Sequence, residues 1–183
     1  MRKFLLLVFL VGSLVLFPSC VAALPEFTTS PSFEEWISSL GTWEDLEDFL
    51  LRCEYVSDFV QFNKREYVQT PEEFFHNRRG DCEDFAYFTA YVFHRKYWAT
   101  ETFVVSVSGF YDGKEIRHTT AVIRDLGGYF VVDFATMYRR YSTLEEAIRA
   151  SFPFQRLRIW AVQEVKSNRS LESVTLLSEL ASP

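Results

Sequence analysis

Basic runs, histidines and cysteines are all scarce in this chain, and each shortage excludes something. The 19 lysines and arginines are outnumbered by 25 aspartates and glutamates, for a formal charge of −6 and a pI near 5.2. Basic residues come at most in pairs such as Arg78-Arg79 and Arg139-Arg140. The basic face that nucleic-acid binding requires is therefore missing, and no nucleic-acid partner is expected. Three histidines and three cysteines leave no zinc-ligand spacing. Only Cys53 and Cys82 lie beyond the N-terminal apolar stretch, too few for a disulfide scaffold. A Cys53–Cys82 bridge is open in an oxidising exterior, but it would silence Cys82. Seven glycines and six prolines argue against a low-complexity chain.

What the chain has is apolar and aromatic bulk. Of its 183 residues, 48% are hydrophobic and 17% aromatic, enough to bury one proper core, so one domain is expected. Arg2 and Lys3 precede an apolar run from Phe4 to Phe17, short for a membrane span and right for a secretory leader. Two readings stay open: a signal peptide over residues 1–23, cut after Ala22 or Ala23, or a lipoprotein signal with Cys20 lipidated. The lipid would then be the only membrane attachment. Residues 24–166 are expected to form the domain, and 167–183 a polar C-terminal tail to which the pattern assigns no element. Either way the protein is exported, to the periplasm or the extracellular space.

Helical signals dominate the first half. Ser32 precedes Phe33, Trp36, Ile37 and Leu40 at buried-face spacing. Gly41 stops that helix, and Thr42 caps a second one expected from Trp43 to about Phe62. Thr70-Pro71-Glu72-Glu73 is a strong helix start. That short helix is expected to end near Arg78-Arg79-Gly80, with Gly80 as a positive-φ cap. Cys53 falls in a helical pattern and takes a packing role. After about residue 100 the period changes to 2. Thr102–Ser108 is a strand, Asp112-Gly113 a hairpin turn, Glu115–Arg124 its partner, and Tyr129–Asp133 a third strand after Gly127-Gly128. Ser142–Ile148 returns to helix. Arg156–Val165 closes the sheet, with Leu157, Ile159 and Ala161 alternating against Arg158, Trp160 and Val162. Helices first and an antiparallel meander afterwards give an α+β class, the Cys82 helix packed on the sheet.

Chemistry concentrates at Gly80-Asp81-Cys82-Glu83-Asp84, where a loop meets the first turn of the helix through Phe85–Phe93. Backbone N–H groups and the positive end of the helix dipole favour a thiolate there. His118 follows in a strand, and Asp133 ends the next. Thiol, imidazole and carboxylate in this order suit cysteine-based acyl chemistry. Cys82 is the expected nucleophile, with its own backbone N–H as an oxyanion donor. The second donor is open among Gln61, Asn63 and Gln69. An ordinary thiol is about 3% thiolate at pH 7, and a pKa near 6 would make that about 90%. A nearby His118 imidazolium is expected to supply the shift, opposed by Asp81, Glu83 and Asp84. Asp133 would orient His118. Asp125 competes with it but sits in turn sequence. Asp84 is expected to satisfy N–H groups of the turn or helix start, and His76 and His94 to lie at the surface or an interface.

These residues resemble the transglutaminase-like cysteine-peptidase superfamily. There a G-x-C-x-D-x-A turn carries the nucleophile, and histidine and aspartate follow on successive strands. Gly80–Ala86, His118 and Asp133 match that pattern. Two stretches depart from it: His118-Thr119-Thr120-Ala121-Val122 in place of H-A-W-V, and Asp133-Phe134-Ala135-Thr136 in place of D-P-T. The resemblance implies a papain- or transglutaminase-like core and a thiol enzyme acting on amide bonds of a protein or peptide, with the cell envelope as a setting. Hydrolysis is the default outcome, a cross-linking acyltransferase or a non-catalytic binding module the alternatives. No cofactor is required. In similar periplasmic proteases that release adhesins, acids flanking the nucleophile bind calcium, which makes Asp81 and Glu83 candidate ligands. Two carboxylates fall short of calcium's six to eight oxygens unless carbonyls and water add to them.

Overall fold

The computed structural model describes residues 31–96, 98–166 and 170–173. The stretch expected to be a leader, Cys20 within it, and most of the expected polar tail lie outside them. Helix α1 (Phe33–Ser39) opens on a capping box. Ser32 Oγ accepts the Glu35 N–H, and Glu35 accepts the Ser32 N–H at 2.8 Å. In α2 (Trp43–Leu50), Asp45 reaches back in the same way to the Gly41 and Thr42 N–H groups.

The helix expected to continue to Phe62 stops at Leu50. A turn leads to β1 (Glu54–Tyr55), and α3 (Asp58–Phe62) follows. The backbone of this segment has better partners elsewhere. Glu54 N–H donates to Arg78 C=O at 2.9 Å and Val56 N–H to Gly80 C=O at 2.8 Å. These bonds pair β1 in parallel with β2 (Arg79–Gly80). Between them, α4 (Pro71–Asn77) starts where expected, with Thr70 and Glu73 forming its capping box.

Gly80 is not the left-handed cap. Arg78 takes that role, at φ 52°, and Gly80 lies in β2. Glycine is needed there for close approach. A Cβ on residue 80 would stand 2.7 Å from Asp84 Cβ and 2.8 Å from its Cγ. Directly after β2 begins α5 (Cys82–Arg95), buried from Asp84 to Phe93.

The sheet comes next. β3 (Glu101–Tyr111) and β4 (Lys114–Asp125) form a long hairpin through Asp112 and Gly113, both at positive φ as a type I′ turn demands. β5 (Gly128–Asp133), β6 (Thr136–Met137), α6 (Leu144–Ser151) and β7 (Gln155–Val165) follow. β8 (Leu171–Ser173) is a short strand in the polar tail, where the sequence pattern assigns no element. The order is β6-β5-β4-β3-β7-β8, every pair antiparallel.

Both faces of this α+β sheet are covered. Val104, Ala121, Ile123, Phe130 and Val132 meet α5 and the N-terminal helices, while Val105, Val107, Val122 and Val131 meet Ala147 and Ile148 of α6. The strand centres are therefore apolar at successive positions rather than alternating. The aromatic surplus fills the helical side, where Trp36 and Phe49 centroids are 4.6 Å apart and Phe33, Phe75 and Phe88 close the cluster. In β7 the expected alternation breaks. Ser106 pairs with Ala161 but Val107 with Ile159, leaving Trp160 in a bulge. Leu157, Ile159 and Val162 then share the α6 side.

Candidate active site

Cys82 is the first helical residue of α5, and its turn is clamped from both sides. Asp81 caps the helix by accepting the Glu83 N–H at 3.2 Å. Buried Asp84 accepts the Asp81 N–H at 3.2 Å, and the backbone and side-chain N–H groups of Gln69, each at 2.7 Å. This is the structural role expected of Asp84. It also removes Gln69 from the oxyanion candidates. Its amide donates to Arg79 C=O as well, and its oxygen accepts from Asn77. Asn63 is the exposed left-handed cap of α3, and Gln61 Oε1 is buried without a partner.

His118 and Asp133 do come together. His118 Nε2 lies 2.7 Å from Asp133 Oδ1, and both side chains are mostly buried. The pairing follows from the sheet. β4 and β5 are in register from Ala121 opposite Val132 to Asp125 opposite Gly128. β5 stops at Asp133, so the part of β4 carrying His118 and Thr119 presents an open edge. Cys82, the first residue of α5, comes to this part of β4. The backbone N–H and hydroxyl of Thr119 face the Cys82 sulfur and favour its thiolate. Thr119 Oγ1 is also 3.1 Å from Ser106 Oγ. Thiol and imidazole are thus brought to successive residues of one strand, with Thr119, not His118, as the immediate partner of the sulfur.

The expected lowering of the thiol pKa is not what this geometry gives. Burial pushes the Cys82 thiol up to about 12, and the Glu83 and Asp81 carboxylates add to it, against Thr119. The carboxylates are themselves shifted. Burial, then the neighbouring Asp81, pushes Glu83 up to about 8. Burial and Asp58 raise Asp81, and burial pushes Asp84 up to about 6 against its bonds to Gln69. Five acids share this corner. Oxygens of Asp58, Asp81 and Asp84, and of Asp58, Glu66 and Glu83, gather within 4.8 Å.

The remaining candidates fall where expected. Asp125 makes turn chemistry, accepting the Gly127 N–H at 2.8 Å and pairing with Arg140. His76 is exposed and His94 half-buried. Cys53 and Cys82 are both free thiols. Cys53 packs on the core, as expected, but from the turn after α2. Several site residues escaped the sequence reading: Asp58 and Glu66 in the acidic corner, Thr119 beside the thiol, Phe134 and Phe152 against the imidazole, and Tyr55 near the thiol and against Phe134. The Thr119 and Phe134 positions were visible only as departures from the family pattern.

Comparison with known proteins agrees with this architecture. The family model described as a transglutaminase-like domain matches residues 29–159. Among solved structures, calcium-bound LapG of Legionella pneumophila is similar at 16% identity and a TM-score of 0.52, over 80% of this chain and 78% of that one. EGTA-treated LapG matches at 16% identity and a TM-score of 0.48, over 79% and 80%. No curated protein matches the chain.

Proposed function

The chain belongs to the transglutaminase-like domain family, and from that premise we propose that it is an exported cysteine hydrolase cleaving amide bonds in a protein or peptide of the cell envelope. The observation that carries the reading is the 2.7 Å His118–Asp133 bond at the open edge of β4, with the α5 N-terminus and Cys82 set against that edge. The domain spans residues 24–166, preceded by a cleaved or lipidated leader.

The chemistry follows from the atoms. His118 Nε2–H donates to Asp133, which leaves Nδ1 to take the Cys82 proton. The sulfur attacks the scissile carbonyl carbon, and the oxyanion receives the Cys82 backbone N–H. His118 returns the proton to the leaving amine. Water, deprotonated by His118, then cleaves the thioester and frees the thiol. Asp133 holds the imidazole throughout.

Calcium fits the acidic corner. The donors are all carboxylate oxygens, which suit a hard cation. One of them, Asp58 Oδ1, is buried with no partner. Asp58, Asp81, Glu83 and Glu66 would hold the ion, and the two residues added to the sequence-level pair bring the ligand set closer to what calcium needs. When bound, it would supply positive charge that offsets the carboxylates raising the Cys82 thiol. The calcium-bound state of the similar LapG structure supports this choice of ion. The rival reading is a non-catalytic binding module, in which the mostly buried Cys82 thiol serves packing alone.

The test is the pH dependence of Cys82 alkylation by iodoacetamide, with peptide mapping to separate Cys53, for wild type and His118→Ala, in calcium and in EDTA. A wild-type rate that holds well below pH 8 in calcium and drops in His118→Ala is expected. Equal, ordinary-thiol behaviour in both proteins would overturn the enzyme reading in favour of the binding module.

A further inference from the structure

One hydrogen bond does not fix an imidazole. With Nε2 pinned to Asp133 and Cβ pinned to the strand, the His118 ring still swings about the line joining them, and that swing moves Nδ1. Two aromatic rings from separate elements limit it. Phe134, directly after β5, lies 5.8 Å from the imidazole at an interplanar angle of 42°. Phe152, directly after α6, lies 5.4 Å away at 66°. Phe134 is itself held from two further sides. Phe85 of α5 meets it edge-on at 5.0 Å, and Tyr55 of β1 does so at 5.5 Å. Its backbone is also unusual, at φ 51°, in the left-handed region that phenylalanine avoids. A constrained conformation kept next to Asp133 has the effect of turning this ring onto His118.

We infer that Phe134 is a positioning residue: together with Phe152 it fixes the plane of the His118 imidazole, so that Nδ1, the nitrogen Asp133 leaves free, keeps one direction. This rests on the Cys82–His118–Asp133 reading and adds a residue to it. Asp133 sets the tautomer and one anchor point, Phe134 sets the rotation. The chain of rings from Tyr55 through Phe134 to His118 further ties the imidazole to β1. β1 is paired with the segment that delivers Cys82. Nucleophile and base are thereby referenced to one small piece of backbone.

The experiment compares full-length wild type with Phe134→Ala, Phe134→Gly, Phe134→Leu, Phe134→Tyr and His118→Ala. It reads Cys82 alkylation at pH 7 in calcium, and the long-range 1H–15N spectrum of the imidazoles. Only three histidines are present, so His118 is readily assigned. Phe134→Ala is expected to slow alkylation on the order of 10- to 100-fold, toward the His118→Ala rate, and to broaden the His118 signals. Phe134→Gly relieves the backbone yet lacks the ring, so it should fail equally. Phe134→Tyr should keep the wild-type rate. Should Phe134→Ala unfold, Phe134→Leu keeps bulk without the ring and serves in its place. Alanine and glycine variants within twofold of wild type, with unchanged imidazole signals, would overturn the inference. If wild type and His118→Ala alkylate alike, the triad reading fails separately, and the imidazole spectrum alone decides whether Phe134 holds the ring.

Discussion

Replacing Gly80 by alanine should destabilise the fold by about 3 kcal/mol or more. The backbone would tolerate the change, since Gly80 is not at positive φ. At an uncrowded position of that kind, alanine stabilises by about 0.4–1 kcal/mol through the unfolded chain. Here the new methyl would stand 2.7 and 2.8 Å from the Asp84 side-chain carbons. Asp84 is 1% exposed and cannot step aside freely. Moving it stretches its bonds to Gln69 N, Gln69 Nε2 and Asp81 N, at 2.7, 2.7 and 3.2 Å. Hydrogen bonds to a charged group contribute about 1.5–3 kcal/mol each, so losing two gives about 3–6 kcal/mol. Urea unfolding of wild type, Gly80→Ala, Asp84→Ala and the double variant measures this. The double variant should cost clearly less than the sum of the two singles, because the same bonds are lost only once. A Gly80→Ala protein as stable as wild type, or more so, would refute the close-approach argument.

Other outcomes are expected as well. Calcium should raise the melting temperature, by about 2.7 kcal/mol of stabilisation at one hundred times its dissociation constant. Asp58→Asn and Glu83→Gln should each shrink that response, which scanning calorimetry in calcium and EDTA would show. Burial pushes the Cys53 thiol up to about 12, so it should resist iodoacetamide at pH 8 in native protein and react in urea. The Asp125 carboxyl is held below the usual range, chiefly by its bond to Arg140. A lowered folded-state pKa gives stability that is present above the unfolded pKa and lost as pH falls through the folded one. The melting-temperature gap between wild type and Asp125→Asn should therefore narrow as the pH drops below about 4.

What could be read from the sequence was local. The Thr70-Pro71 start of α4, the Ser32 box of α1 and the Asp112-Gly113 turn all carry their signal within four residues, and all three form as expected. The expected contact of His118 with Asp133 forms as well, at 2.7 Å. The failures share a cause of the opposite kind. β1 exists because Glu54 and Val56 find acceptors some 25 residues away, a pairing no periodicity announces. Gly80 looked like a cap because glycine usually is one, but its reason lies in Asp84, four positions on. Asp58 and Glu66 joined the acidic corner only when α3 and the following loop folded over the turn. The thiol's shift runs opposite to the expectation because its sign depends on burial, which a sequence does not display.

A sheet covered on both faces also sets an order of events. The β3–β4 hairpin closes through a two-residue turn and can form early, yet its centre is apolar on both sides. During vectorial emergence of the chain α5 precedes the hairpin, so one of its faces meets a ready cover, while the other waits for α6 more than fifteen residues beyond β4. For that interval Val105, Val107 and Val122 form a sticky surface. A polypeptide delivered unfolded to its destination would need a holding partner, or a fast α6, during that interval. The acidic excess of the chain works in the same interval, since mutual repulsion keeps half-made copies apart.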